Sequence, residues 1–242
     1  GIAKNISDEE AEYLGLTSKG WRDVPIDDEV LGKLAQENEP FITQWIVDIK
    51  DKEINLEALL FRLRQRISNR ANIELKEDKL GLYICSLSSK TIVYKGMVRS
   101  EILAPCYADL LDDRFEVSYA VYHRRFCTNT LPKWLLAQPM RLLGHNGEIN
   151  TLKGNINWMK VHEEEMFSPY FENMENLKPV VPSGNSDSAS LDNVFELLNM
   201  SGHSAPLSKL MLMPDAWSKK SRILPKDHLQ LFNFLNSTME PW

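Results

Sequence analysis

Asn146-Gly147 places a neutral side-chain amide donor beside a backbone N–H that no Cβ shields. Two such donors side by side are the hardware of an oxyanion hole, where a single donor contributes roughly 3–4 kcal/mol in favourable cases. The same dipeptide is a favoured tight turn, because both residues tolerate positive φ, so a plain hairpin turn stays open as a reading. Arg125 follows Arg124 at the end of a predicted strand, where only one of the two can point into a given pocket. An arginine fork matches a carboxylate through two parallel hydrogen bonds. Asp187 lies in the Ser183-Gly184-Asn185-Ser186-Asp187-Ser188 loop at a predicted helix start. It suits an ammonium ligand, and equally a charge at a helix N-terminus. Arg125 and Asp187 together would fit the α-carboxylate and α-amino group of an amino acid, although each residue type is commonly structural.

A nucleophile with an obvious base is not visible. Cys127 is two residues beyond Arg125, so in a strand it would point to the same side, and a pairing with His123 or His145 is conceivable, but no local signature supports this. His162-Glu163-Glu164-Glu165-Met166 begins like a zinc-protease HExxH and then puts Met166 in place of the second histidine; a solvated acidic helix face is the plainer reading. There is no GxGxxG and no GxxxxGK[ST], hence no sign of a dinucleotide or nucleotide phosphate cradle.

The elements that must position these residues are mixed. Ser7-Asp8-Glu9-Glu10 reads as a capping box that starts a short helix over 7–14. Gly20-Trp21-Arg22-Asp23-Val24-Pro25 reads as a loop leading to a short helix near 28–36, and 41–49 alternates as a strand. Residues 54–70 form an amphipathic helix with Leu56, Leu59, Leu60, Leu63 and Ile67 as its apolar stripe. Arg62, Arg66 and Arg70 fall on another face, expected to be solvated. Residues 80–87 and 91–98 read as a hairpin joined by Ser88-Ser89-Lys90, 101–111 as a helix that Pro105 could interrupt, and 115–126 as a longer strand. Helices are expected at 150–166, 188–200 and 229–235. Hairpin-like connections without regular strand–helix alternation point to α+β with an antiparallel sheet.

With 242 residues the chain suits one large domain or two small ones. Its 43% hydrophobic and 26% charged residues are ordinary for a globular protein that can form a core. The net charge of −6 argues against a nucleic-acid surface. No apolar run approaches the roughly 18–20 residues that cross a bilayer, and no signal peptide is visible. Cys85, Cys106 and Cys127 are an odd number without a CxxC pair, which fits a reduced compartment better than a zinc knuckle. The opening Gly1-Ile2-Ala3 and the abrupt, apolar-rich Met239-Glu240-Pro241-Trp242 read as a piece of something longer.

Several blocks are specific. They are Arg124-Arg125-Phe126-Cys127-Thr128-Asn129-Thr130, Pro132-Lys133-Trp134, Ala137-Gln138-Pro139-Met140-Arg141, His145-Asn146-Gly147-Glu148-Ile149-Asn150-Thr151, Gly154-Asn155-Ile156-Asn157-Trp158-Met159 and Ser186-Asp187-Ser188-Ala189-Ser190-Leu191-Asp192-Asn193. Together they closely resemble the glutamate synthase family, large-subunit type, in its class II glutamine amidotransferase domain. Gly20-Trp21-Arg22-Asp23-Val24-Pro25, Tyr83-Ile84-Cys85-Ser86-Leu87-Ser88 and the closing Met239-Glu240-Pro241-Trp242 fit as well. The resemblance runs from about Gly15 to Trp242.

The resemblance implies an N-terminal-nucleophile hydrolase fold, an αββα sandwich of two antiparallel sheets, with residues 1–242 a partial domain truncated at both ends. It implies a glutaminase in which an N-terminal cysteine thiolate attacks the glutamine side-chain amide and its own α-amino group acts as base; such a group titrates near 8. Carried over, Asn146 and Gly147 match the oxyanion hole, Arg125 the grip on the α-carboxylate, Asp187 the hold on the α-amino group, and Thr128 the same substrate loop. No cofactor is implied within this stretch. The whole enzyme would carry FMN and an iron-sulfur cluster in other domains, aminate 2-oxoglutarate with the released ammonia, and take electrons from ferredoxin or a pyridine-nucleotide reductase. Bacterial cytoplasm and plastid stroma both fit. The sequence departs from the family in opening at Gly1 without the nucleophilic cysteine, so the isolated chain is expected to be inactive, and in Cys127 where serine is usual, expected to be a tolerated change. A rival reading is a non-catalytic glutamine-binding or scaffold module.

Overall fold

The computed structural model describes residues 1–49, 55–75, 81–124, 131–145, 147–214, 225–238 and 242. The chain divides into two compact units, Gly1–Gly144 and His145–Trp242.

In the first unit, α1 (Ile2–Tyr13) leads into β1 (Leu16–Asp23), followed by the five-residue α2 (Lys33–Glu37), β2 (Thr43–Ile49), the long α3 (Leu56–Glu74) and the single turn α4 (Leu103–Cys106). β1 and β2 pair antiparallel, Leu16 opposite Ile49 and Asp23 opposite Thr43, with a register shift between Ser18 and Gly20. Gly20, at φ +129°, takes up that irregularity. Trp21 and Trp45 stand opposite each other and stack at 5.1 Å between centroids. The indole of Trp45 donates to Ser18 Oγ at 2.9 Å and that of Trp21 to Asp8 at 3.2 Å, so each polar edge has a partner while the ring faces stack.

Two cores of described residues lie in this unit. Ile6 and Ala11 of α1 pack with Leu60, Leu63, Ile67 and Ala71 of α3 and with Leu16, against Trp45 and Val47 of the strand pair. The other holds Val24, Leu31, Ala35, Cys106, Tyr107 and Trp134.

Several sequence expectations are corrected here. The first helix begins at Ile2, and Ser7 is buried inside it with its hydroxyl donating to Ala3 O at 2.9 Å. The apolar face of Ile6 and Ala11 extends the helix upstream of the capping-box signal. The stretch Gly20–Asp23 belongs to β1 and is not a loop; the cross-strand tryptophan pair outweighs its poor strand propensity. The expected helix at 28–36 splits into a 3-10 turn, Asp28–Val30, and α2. That at 101–111 splits into α4 and a 3-10 turn, Ala108–Leu111.

Residues 81–98 and 115–124 form no strand among the described residues. Backbone groups in the former go to side chains. Glu57, in the first turn of α3, accepts from Ser88 Oγ at 2.7 Å and from the N–H of Ser89 at 2.9 Å, while Val93 N–H donates to Ser86 Oγ. The Ser88-Ser89-Lys90 link is therefore held on a helix N-terminus. In the latter, Val117, Tyr119, Val121 and Tyr122 are exposed. The mixed helix-and-strand class and the antiparallel pairing agree with the sequence; the described residues contain a single two-stranded sheet.

Arg66 and Arg70 do not form a solvated face. Arg66 Nε donates to Glu10 Oε2 at 2.5 Å, and Arg70 Nη2 reaches Glu9 at 2.6 Å, so this face of α3 receives α1.

The second unit is helical: α5 (Leu152–Glu165), α6 (Asp187–Met200), α7 (Ala205–Leu212) and α8 (Lys226–Thr238). α6 packs on α7 and α7 on α8. α7 has no counterpart among the sequence expectations; Ser204 caps it by accepting from Leu207 N–H. α8 begins three residues before the expected helix and buries Phe232 and Leu235. Glu163 on α5 is not merely part of a solvated acidic face, because its carboxylate accepts from Val180 N–H at 2.8 Å. No described helix is long and apolar enough to cross a membrane.

Candidate functional site

α6 carries Asp187, and its start is dictated by three short polar residues. Ser186 is the N-cap and accepts from Ala189 N–H at 3.2 Å. Ser190 Oγ donates back to Ser186 O at 2.7 Å. Asp187 is the first helical residue and only 4% exposed. A carboxylate at this position is stabilised by the positive end of the helix dipole. Its Oδ1 accepts from Ser188 N–H at 2.7 Å and, more distantly, from Ser188 Oγ at 3.4 Å. Ser186, Ser188 and Ser190 are all buried, so the first turn of α6 is a polar cluster enclosed within the unit.

Gly147 lies 40 residues earlier in an exposed, irregular stretch. His145 connects the two places. Its Nδ1 lies 3.2 Å from Gly147 O, and its Nε2 lies 3.0 Å from Ser188 Oγ. A continuous run of hydrogen bonds therefore links Gly147, His145, Ser188 and Asp187. After Gly147 the chain buries Ile149 and enters α5 through Thr151, a non-glycine residue at φ 61°. A β-branched side chain in the left-handed region is strained, and it sits four residues beyond the glycine.

Of the sequence-predicted site residues, Asp187 and Gly147 are brought into one hydrogen-bonded run. Arg125, Thr128 and Asn146 lie outside the described residues, as does Cys127. Both ring nitrogens of His145 lie within hydrogen-bond distance of described groups, Gly147 O and Ser188 Oγ; its conceivable pairing with Cys127 lies outside the described residues. Sequence reasoning missed His145 and Ser188 in these roles. Ser186 announces itself as a helix cap, but nothing local in the sequence pairs residue 145 with residue 188.

The two described cysteines are unsuited to nucleophilic work. Burial pushes the Cys106 thiol up to about 11, and burial raises that of Cys85 as well. A thiol held protonated is inert. Among the described residues no group of three or more His, Cys, Asp or Glu could hold a metal ion.

Residues 2–242 match the family model for class-II glutamine amidotransferases. The chain belongs to that family. This amidotransferase chain is 48% identical over 228 residues to the large chain of an NADPH glutamate synthase from Azospirillum brasilense, an alignment covering 92% of this chain and 15% of that protein. It is 44% identical over 234 residues to a ferredoxin-dependent glutamate synthase from Cyanidium caldarium, covering 96% of this chain and 15% of the relative. It is 42% identical over 246 residues to the chloroplastic ferredoxin-dependent enzyme of Oryza sativa subsp. japonica, covering the whole of this chain and again 15% of the relative. The amidotransferase chain thus spans 15% of the length of these curated relatives.

Proposed function

We propose that this chain is the glutaminase part of a glutamate synthase. The observation that carries the reading is the match of residues 2–242 to a single family defined by use of the glutamine amide. The site geometry supports it: Asp187 is a buried carboxylate at a helix N-terminus, suited to an α-ammonium, and is linked by hydrogen bonds to Gly147. Among the described residues, a Cβ on Gly147 would meet nothing closer than His145 Nδ1 at 4.0 Å. Packing among the described residues therefore does not demand glycine there, which fits a backbone N–H kept open to a ligand.

In this reading Arg125 grips the glutamine α-carboxylate, Asp187 holds its α-amino group, and Thr128 lines the same loop. An N-terminal cysteine thiolate attacks the side-chain amide carbon. The oxyanion that forms is met by the Asn146 side-chain amide and the Gly147 N–H. The cysteine's α-amino group, having taken the thiol proton, returns it to the amide nitrogen, so that collapse breaks the C–N bond and releases ammonia; water then hydrolyses the thioester to glutamate. The domain adopts the αββα sandwich of N-terminal-nucleophile hydrolases, with β1 and β2 part of one sheet. FMN and iron-sulfur chemistry belongs to other domains of the polypeptide, where ammonia aminates 2-oxoglutarate. Ferredoxin or a pyridine-nucleotide reductase supplies electrons, in bacterial cytoplasm or plastid stroma.

The test is glutamate release from glutamine by the intact polypeptide. Turnover is expected, with a sharply raised KM in Asp187→Asn. Glutamine binding without turnover would contradict the reading and favour a binding module.

A further inference from the structure

We infer that His145 is a positioning residue that ties Gly147 to the first turn of α6 through Ser188. The inference rests on the glutaminase reading above and assigns to that site a residue pair outside the substrate-contacting set.

The protonation pattern follows from the partners. Gly147 O can only accept, so Nδ1 must carry the proton and donate to it. In the neutral ring Nε2 then holds a lone pair and accepts from Ser188 Oγ–H at 3.0 Å. Ser188 is thereby divided between two tasks. Its single hydroxyl proton takes the shorter contact, His145 Nε2 at 3.0 Å, over Asp187 Oδ1 at 3.4 Å, and its backbone N–H goes to Asp187 Oδ1 at 2.7 Å. Because both donors belong to Ser188, His145 is held in a set relation to the Asp187 carboxylate.

The tie matters because glycine is the residue with the greatest backbone freedom. Gly147 is exposed and lies in no regular element. The hydrogen bond to its carbonyl fixes the plane of the following peptide and so restrains ψ at Gly147. Ser188 is buried, and its helix is the best-enclosed element of the unit. His145 therefore ties the Gly147 carbonyl, one peptide beyond the N–H that would face a ligand, to α6. Donors to a developing oxyanion are effective only when held in place before the reaction, and a displacement on the order of 1 Å can cost about 10²-fold.

The experiment is a double-mutant cycle in the intact polypeptide, with steady-state glutamine hydrolysis as the readout. Ser188→Ala removes the hydroxyl. His145→Asn retains a donor near the Nδ1 position and cannot reach Ser188. Each is expected to lower kcat about 10-fold with KM for glutamine within about 3-fold, because Asp187 stays on its helix. The double variant is expected to lose about 10-fold as well, since both substitutions break one tie. Losses that multiply to about 100-fold would overturn the inference, as would unchanged kcat in both single variants. Asp187→Asn is the control that separates the two readings. A raised KM there, with kcat unchanged in the tie variants, refutes the tie alone. Absence of turnover in the unsubstituted polypeptide refutes both. If His145→Asn fails to fold, Ser188→Ala carries the kcat-against-KM test by itself.

Discussion

Arg66 Nε donates to Glu10 Oε2 at 2.5 Å, joining α3 to α1 with both side chains largely out of water. Arg70 Nη1 reaches the other oxygen of Glu10 at 3.4 Å, and the Arg66 guanidinium lies over the Tyr13 ring at 4.2 Å. Glu10 is thus the acceptor at the centre of a cationic pair, beside the core of Ile6, Ala11, Leu63 and Ile67. Truncating Glu10 leaves the largely buried Arg66 without its carboxylate, while Arg70 keeps Glu9 and Glu74. Glu10→Ala should lower unfolding stability by about 3 kcal/mol, read from denaturant midpoints. A change below about 1 kcal/mol would mean that water reaches these arginines in the folded protein.

Much of this was legible in the sequence, and what escaped it shares one physical cause. The apolar period of α3 and the polar entry to α6 are local signals: α3 runs Leu56–Glu74 where the sequence predicts 54–70, and α6 runs Asp187–Met200 where it predicts 188–200. β1 escaped because its polar residues become a strand only when Trp21 meets Trp45. The tie between His145 and Ser188 escaped for the same reason, as two residues distant in sequence meet only in the fold. Asp187 was legible as a charge at a helix start, but its burial was not. The arginine stripe of α3 was legible as a stripe, while its partners on α1 were not.

Asp109 links stability to pH. The hydrogen bond from Arg22, whose Nη1 lies 3.0 Å from Asp109 Oδ1, holds the Asp109 carboxyl below the usual range. Tyr94 adds a second donor at 2.9 Å. A carboxylate whose folded pKa is depressed contributes stability that is full above its unfolded value near 4 and is lost as pH falls through the folded value. Asp109→Asn should therefore lower Tm at pH 7, and the gap to the unsubstituted protein should close towards pH 3. A gap that is constant between pH 7 and pH 3 would contradict the linkage.

Thr151 should be improvable. It is the residue before α5, it sits at φ 61° and ψ 28°, and its side chain caps nothing. Asparagine visits the left-handed region more readily than a β-branched residue and is a better N-cap. Thr151→Asn should stabilise the protein by about 1 kcal/mol, measured by thermal or denaturant unfolding. Destabilisation would show that the threonine side chain is needed to hold the left-handed turn.

The central claim is that Asp187 recognises the α-amino group of glutamine. The most direct measurement is the ratio of kcat/KM for glutamine to that for its des-amino analogue, 4-carbamoylbutanoate, in the intact polypeptide and in Asp187→Asn. A charge-assisted hydrogen bond is worth about 1.5–3 kcal/mol, so the substitution should reduce the ratio about 10- to 100-fold, chiefly through loss of activity on glutamine. A ratio unchanged by Asp187→Asn would contradict the claim.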